Sequence, residues 1–165
     1  MTTVALYDTM GPEATQFICN QCELKTIAVS KDQIAKITLL KIEDAKRSRN
    51  ERKLRKLKNI VVFEDDFKIT DKKTASDAGL TMYSFEEVVF RGREAKRDGS
   101  KISEPKPDDV YMLSYTSGTT GDPKGSKLTH KMVINAAYAF QMRMAKPLSE
   151  KDTYMSYLPA AHSFE

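Results

Sequence analysis

Short apolar runs rich in β-branched residues alternate with stretches of helical periodicity along this 165-residue chain. Val4 to Tyr7 reads as a strand. Pro12 then opens a helix that carries Ala14, Phe17, Ile18 and Cys22 on one face. Thr26 to Val29 is a second strand. Ser30 and Gln33 have capping-box spacing, and Ile34, Ile37 and Leu40 follow at helical intervals. Ile60 to Phe63 is a third strand. Ser84 and Glu87 repeat the capping-box spacing and open a helix with Phe85, Val88 and Val89 inward. Val110 to Tyr115 is a short buried strand. Thr129 caps a further helix, with Val133, Ala136, Ala137, Phe140 and Met144 on its apolar face and Pro147 as its stop. Thr153 to Pro159 is a fifth strand candidate. Such alternation means an α/β fold, a partial wound, largely parallel sheet covered by helices on both faces. Glu165 follows directly on a strand and its loop, where a wound sheet calls for another helix. The expectation is therefore an incomplete unit with an open edge, poorly soluble or self-associating.

Composition narrows the class. The chain is 40% apolar and 30% charged, in the range of a soluble globular protein. No apolar run is long enough to span a bilayer, and the first ten residues lack the pattern of a signal peptide. Two cysteines, Cys19 and Cys22, imply no disulfide framework. The net charge of +4 is uneven: "KRSRNERKLRKLK", from Lys46 to Lys58, holds eight basic residues against Glu51 alone. One segment supplies the basicity, so nucleic acid is not an expected partner of the whole surface.

"YTSGTTGDPKGSKLTH", from Tyr115 to His130, is the stretch with chemistry in it. It leaves the carboxyl end of a strand, where open α/β sheets bind ligands. Gly118 and Gly121 allow backbone angles closed to other residues, so that amides converge on phosphate oxygens. Thr116, Ser117, Thr119 and Thr120 add hydroxyl donors. Lys124 adds a mobile positive charge, approached through the stiff Pro123. The spacing fails the Walker A pattern and the dinucleotide G-x-G-x-x-G pattern. A plain flexible turn would not combine this many hydroxyls with Pro-Lys-Gly.

The same stretch resembles the signature loop of the adenylate-forming superfamily, which includes acyl-CoA synthetases, luciferases and peptide-synthetase adenylation domains. Ser126 departs from the family's usual aliphatic residue. "YLPAAHSFE" (Tyr157 to Glu165) is similar to the "YLPLAHxFE" element of long-chain fatty acyl-CoA synthetases, with Ala160 in place of leucine. "LYDTMG", from Leu6, resembles their "LYDTLG" region. The resemblance runs over essentially all of residues 1–165 and corresponds to part of the family's large N-terminal domain.

That resemblance implies ATP-dependent activation of a long-chain fatty acid to acyl-CoA through an acyl-adenylate, with ATP, Mg2+ and coenzyme A as cofactors and co-substrate. Carried over position by position, the phosphate loop 115–125 uses Thr116, Ser117, Gly118, Thr119, Thr120, Gly121, Lys124 and Gly125. Thr116 also ligates magnesium, and His162 lines the adenylate and acyl site. The family's later elements, a "YGxTE" glutamate, an "STGD" aspartate and a C-terminal lysine, have no counterpart here, so turnover by this chain alone is not expected. A non-catalytic ATP- or phosphate-binding module is the alternative. Membrane association at the cytoplasmic side, as at the endoplasmic reticulum, belongs by the same resemblance to the full-length enzyme.

Two features stand outside this reading. Redox C-x-x-C pairs sit at a helix start, whereas Cys19 and Cys22 fall in late turns, which favours buried structural cysteines. The segment from Lys46 to Lys58 has no aromatic residue for base stacking. A solvated amphipathic helix or linker is the favoured reading, with anionic membrane or nucleic-acid binding as the minor one.

Overall fold

The computed structural model describes residues 1–7, 9–97, 103–116, 122–144, 149–153 and 155, with the side chains of 96 and 97 excepted. The chain forms two compact units, one of Pro12–Ile102 and one of Met1–Gly11 with Ser103–Glu165.

The unit of Pro12–Ile102 is built on a parallel sheet. Helix α1 (Pro12–Gln21) leads to β2 (Thr26–Val29), then a 3-10 turn and α2 (Ile34–Ala45), β3 (Asn59–Val62), α3 (Ile69–Asp77), β4 (Thr81–Ser84) and α4 (Phe85–Arg97). The strands lie in the order β2-β3-β4, with Ile27 opposite Ile60 and Ile60 opposite Met82. Alternation sorts the strand residues by face. Ile27, Val29, Ile60, Val62, Met82 and Ser84 are buried, while Thr26, Ala28 and Thr81 are exposed. Ile18, Ile34, Ile37, Leu40, Leu54, Leu57, Ala75 and Leu80 are buried as well, each 5% exposed or less. Each fully buried aliphatic side chain contributes about 1.5–3 kcal/mol.

Local sequence explains the element ends. The Ser84 hydroxyl accepts from the Glu87 amide, and the Glu87 carboxylate accepts from the Ser84 amide, at 3.1 and 2.9 Å. This is the reciprocal capping box that opens α4. Helix α3 stops at Gly79, φ 75°, with Leu80 N donating to Ala75 O and Gly79 N to Ser76 O. Helix α1 ends the same way, with Glu23 at φ 49° in the position where glycine is usual.

Several expectations need correction. Ser30 does not cap a helix. Its hydroxyl donates to Asp32, a 3-10 turn (Lys31–Gln33) intervenes, and α2 starts at Ile34. Helix α1 buries Thr15, Gln16, Ile18 and Cys19 rather than the face through Ala14, Phe17 and Cys22. Phe85 and Val88 on α4 are exposed, 49% and 39%. The basic segment is a series of turns rather than a helix. Its two leucines, Leu54 and Leu57, are among the most deeply buried side chains.

The other unit holds a second three-stranded sheet, in the order β1 (Thr3–Val4), β5 (Val110–Thr116), β6 (Lys124–Thr129). β1 is shorter than the expected Val4 to Tyr7. It pairs parallel to β5, Val4 opposite Leu113, and the Thr2 hydroxyl donates to Val110 O. β5 and β6 are antiparallel, with an irregularity between Val110 and Met112. α5 (His130–Arg143) follows at once, its first turn capped by the Thr129 hydroxyl accepting from Met132 N at 3.3 Å. The expected cap is therefore present. The expected burial is not: Val133, Ala136, Ala137, Phe140 and Met144 are all exposed. A helical apolar stripe asks for a partner, and none of the described residues supplies one. β5 is also less buried than expected, Tyr115 alone among its residues being closed to solvent. Of the fifth strand candidate, Thr153 and Met155 are not in a strand, and the rest lies outside the described residues. Mixed α/β with parallel sheet segments and flanking helices is thus the observed class.

Candidate functional site

The loop expected between a strand and a helix lies instead between two antiparallel strands. β5 ends at Thr116 and β6 begins at Lys124, and these two residues face each other as the last pair of the ladder. Lys124 and Gly125, expected in the loop, are therefore strand residues. Ser117, Gly118, Thr119, Thr120 and Gly121 lie outside the described residues, as does His162.

Opposite residues of an antiparallel pair project to one face, and their neighbours to the other. Thr116 and Lys124 thus share a face, and both are exposed. Tyr115 and Gly125, the next pair, share the other face, where Tyr115 is 3% exposed. A Cβ added to Gly125 would lie 2.8 Å from Tyr115 Cζ and 3.0 Å from Cε1. Glycine is required there by the tyrosine ring, a cause invisible in the spacing alone. Aromatic cover of a strand glycine is also a device that pins register. The sequence signal for it is only the order Tyr-Thr…Lys-Gly across a hairpin.

At the base of this unit the chain is fixed by polar contacts. Lys106 N donates to the Asp109 carboxylate at 2.8 Å, while His130 N and Lys131 N donate to Asp109 O and Pro107 O. Tyr111 and His130 meet edge to face, with centroids 5.3 Å apart. These contacts tie the first residues of β5 to the start of α5, at the opposite end of the ladder from Thr116 and Lys124.

The donor set suits an anion. One hydroxyl and one ammonium on the same exposed face match phosphate oxygens. They do not by themselves complete a magnesium shell, which takes six oxygens. Among the described residues no group of three His, Cys, Asp or Glu is placed to hold a metal ion. Cys19 is buried and Cys22 half-buried, near the carboxyl end of α1. Burial, with the neighbouring Cys22 adding to it, pushes the Cys19 thiol up to about 12.

The family described as "AMP-binding enzyme" matches residues 1–165. The chain belongs to the AMP-binding enzyme family. It is 34% identical over 167 residues to long-chain-fatty-acid–CoA ligase 1 of Cavia porcellus, covering 100% of this chain and 22% of that protein. It is 34% identical to long-chain-fatty-acid–CoA ligase 5 of Mus musculus and to long chain acyl-CoA synthetase 5 of Arabidopsis thaliana, covering 23% of each. The chain therefore spans less than a quarter of the length of these relatives. Among solved structures, the adenylation domain of a carboxylate reductase from Mycobacterium chelonae superposes with a TM-score of 0.65 at 18% identity, over 89% of this chain and 22% of that one. The anthranilate CoA ligase AuaEII, solved in complex with anthranoyl-AMP, gives 0.54 at 18% identity, over 86% of this chain and 23% of that one. These two likenesses speak for the fold.

Proposed function

We propose that the turn from Tyr115 to Gly125 binds the phosphates of ATP during activation of a long-chain fatty acid to its acyl-CoA. The observation that carries this reading is the cross-strand pairing of Thr116 with Lys124, which puts a hydroxyl and an ammonium on one exposed face at the two ends of the glycine-hydroxyl segment. The relatives named as long-chain-fatty-acid–CoA ligases supply the substrate class.

In this proposal Lys124 neutralises phosphoryl charge, and Thr116 donates its hydroxyl and offers its oxygen to magnesium. Ser117, Gly118, Thr119, Thr120 and Gly121 complete the cradle, Gly125 lets the Tyr115 ring lock the hairpin, and His162 lines the acyl side. A fatty-acid carboxylate would attack the α-phosphate of ATP bound there and release pyrophosphate, and the coenzyme A thiol would then take the acyl group from the adenylate and release AMP. Positioned donors of this kind act by stabilising charge that develops on phosphoryl oxygens. Association with a membrane at the cytoplasmic side belongs to the same proposal.

Grafting tests the reading. Residues 115–130 replace the matching segment of the Cavia porcellus ligase, and fatty-acid-dependent ATP–pyrophosphate exchange is measured. The proposal expects exchange to persist and to fall at least a hundredfold when the graft carries Lys124→Ala. An inactive graft in a folded ligase would count against it.

A second reading for residues 1–165 on their own is nucleotide binding without turnover, carried by the same exposed pair of Thr116 and Lys124. Lysine-dependent ATP binding together with no pyrophosphate exchange by the purified chain is the result that supports it.

A further inference from the structure

The basic segment between α2 and β3 is not a loose tether. Asp44, 2% exposed, turns its carboxylate onto the amides of Lys53 and Leu54 at 2.8 and 2.9 Å. The Arg52 guanidinium donates to Ala45 O and Arg47 O, and so covers the carbonyls at the end of α2. Lys41 donates to Leu54 O and Leu57 O from the side of α2. Leu54 and Leu57, 2% and 1% exposed, plug the segment into the core. The fold thus spends one carboxylate, one guanidinium and one ammonium on holding thirteen residues of turn.

What remains outside is cationic. Lys46, Arg49, Arg55, Lys56 and Lys58 are exposed, and among the described residues none has a side-chain hydrogen bond or ion pair. The one acid within the segment, Glu51, accepts from the Ser48 hydroxyl. The backbone of the segment is tied together through Asp44 and Arg52, so these five charges stand on one held stretch of chain.

We propose that this stretch docks the protein on an anionic bilayer surface. A protein partner would want an apolar anchor at the centre of its contact, and the only leucines of the segment face inward. A nucleic acid would be read by a helix in a groove or by aromatic stacking, and the segment has neither. Exposed ammonium and guanidinium groups on a held backbone, without an inserting side chain, suit a broad anionic sheet of headgroups. The choice of a bilayer also rests on the proposed function, because a long-chain fatty acid is drawn from such a surface.

Co-sedimentation of the 165-residue chain with vesicles tests this, without ATP or fatty acid. Mixed phosphatidylcholine–phosphatidylserine vesicles are expected to retain the chain at low salt and release it at high salt, and phosphatidylcholine vesicles are expected to retain far less. Each cation near such a surface is worth about fivefold in partitioning, so Arg49→Ala/Arg55→Ala/Lys56→Ala should lower it about a hundredfold with an unchanged melting temperature. Equal retention by the two vesicle types, an unaffected triple variant, or complete competition by duplex DNA at matched phosphate concentration would overturn the proposal. Lys124→Ala separates the two readings: it should leave vesicle binding intact in this assay while weakening nucleotide binding, titrated separately, at least tenfold.

Discussion

The ring of Tyr115 lies across the strand from Gly125, where a Cβ would come within 2.8 Å of Cζ. The pair sits one step from Thr116 and Lys124, so whatever moves the ring moves the proposed phosphate site. Gly125→Ala forces a buried ring to shift and is predicted to cost about 1–3 kcal/mol. The measurement is a thermal melt with amide shifts. Perturbation should concentrate in β5 and β6 and leave the β2-β3-β4 sheet unchanged.

Asp44 is the second structural keystone. Replacing it by alanine leaves the half-buried amide of Lys53 and the buried amide of Leu54 without their acceptor, a loss of about 2–4 kcal/mol. Denaturant unfolding of Asp44→Ala should show that loss. Asn should recover part of it, because an amide oxygen still accepts one of the two bonds.

Helix α4 depends on its first turn, since much of its apolar face is exposed. Ser84→Ala removes the acceptor of the Glu87 amide and is predicted to destabilise by about 1 kcal/mol. Glu87→Ala in the Ser84→Ala background should add less than it does alone, which a double-mutant cycle by denaturation can measure.

Cys19 gives a pH signature. Its thiol titrates near 9.0 when unfolded and is raised to about 12 in the fold, chiefly by burial. The folded state therefore holds its proton where the unfolded state releases it. This contribution is intact well below pH 9 and is lost as pH rises from 9 toward 12, amounting to about 1.4 kcal/mol by pH 10. Comparison of alkaline melts of wild type and Cys19→Ala isolates it, with a shallower decline expected in the variant. A thiol reagent should modify Cys22 well before Cys19.

Periodicity and punctuation made part of this fold readable. The strand Thr26–Val29 and the helix starts at Pro12, at Ser84 and after Thr129 were all marked by residues that act locally. Helix α3 was not visible, because Ile69 and Ala75 are its only clearly apolar residues and one of them is exposed. Its ends are set in the fold by Gly79 and by the carboxylate of Asp71 accepting from Lys68 N. β4 was hidden for a similar reason, a four-residue strand whose burial falls on Met82 and Ser84. At the site, residue chemistry suggested an anion before any geometry was known. The hairpin frame was not legible, because Lys124 to Thr129 lacks the alternating apolar pattern that normally marks a strand. Long-range pairing with β5 sets it instead.

Lys124, held opposite Thr116, is proposed to bind the phosphates of ATP. Calorimetric titration of the purified chain with Mg–ATP, for wild type and Lys124→Ala, tests it most directly. Wild type should bind saturably and the variant at least tenfold more weakly, with both proteins melting at the same temperature. Binding of equal strength in the two folded proteins, or none in wild type, would contradict it.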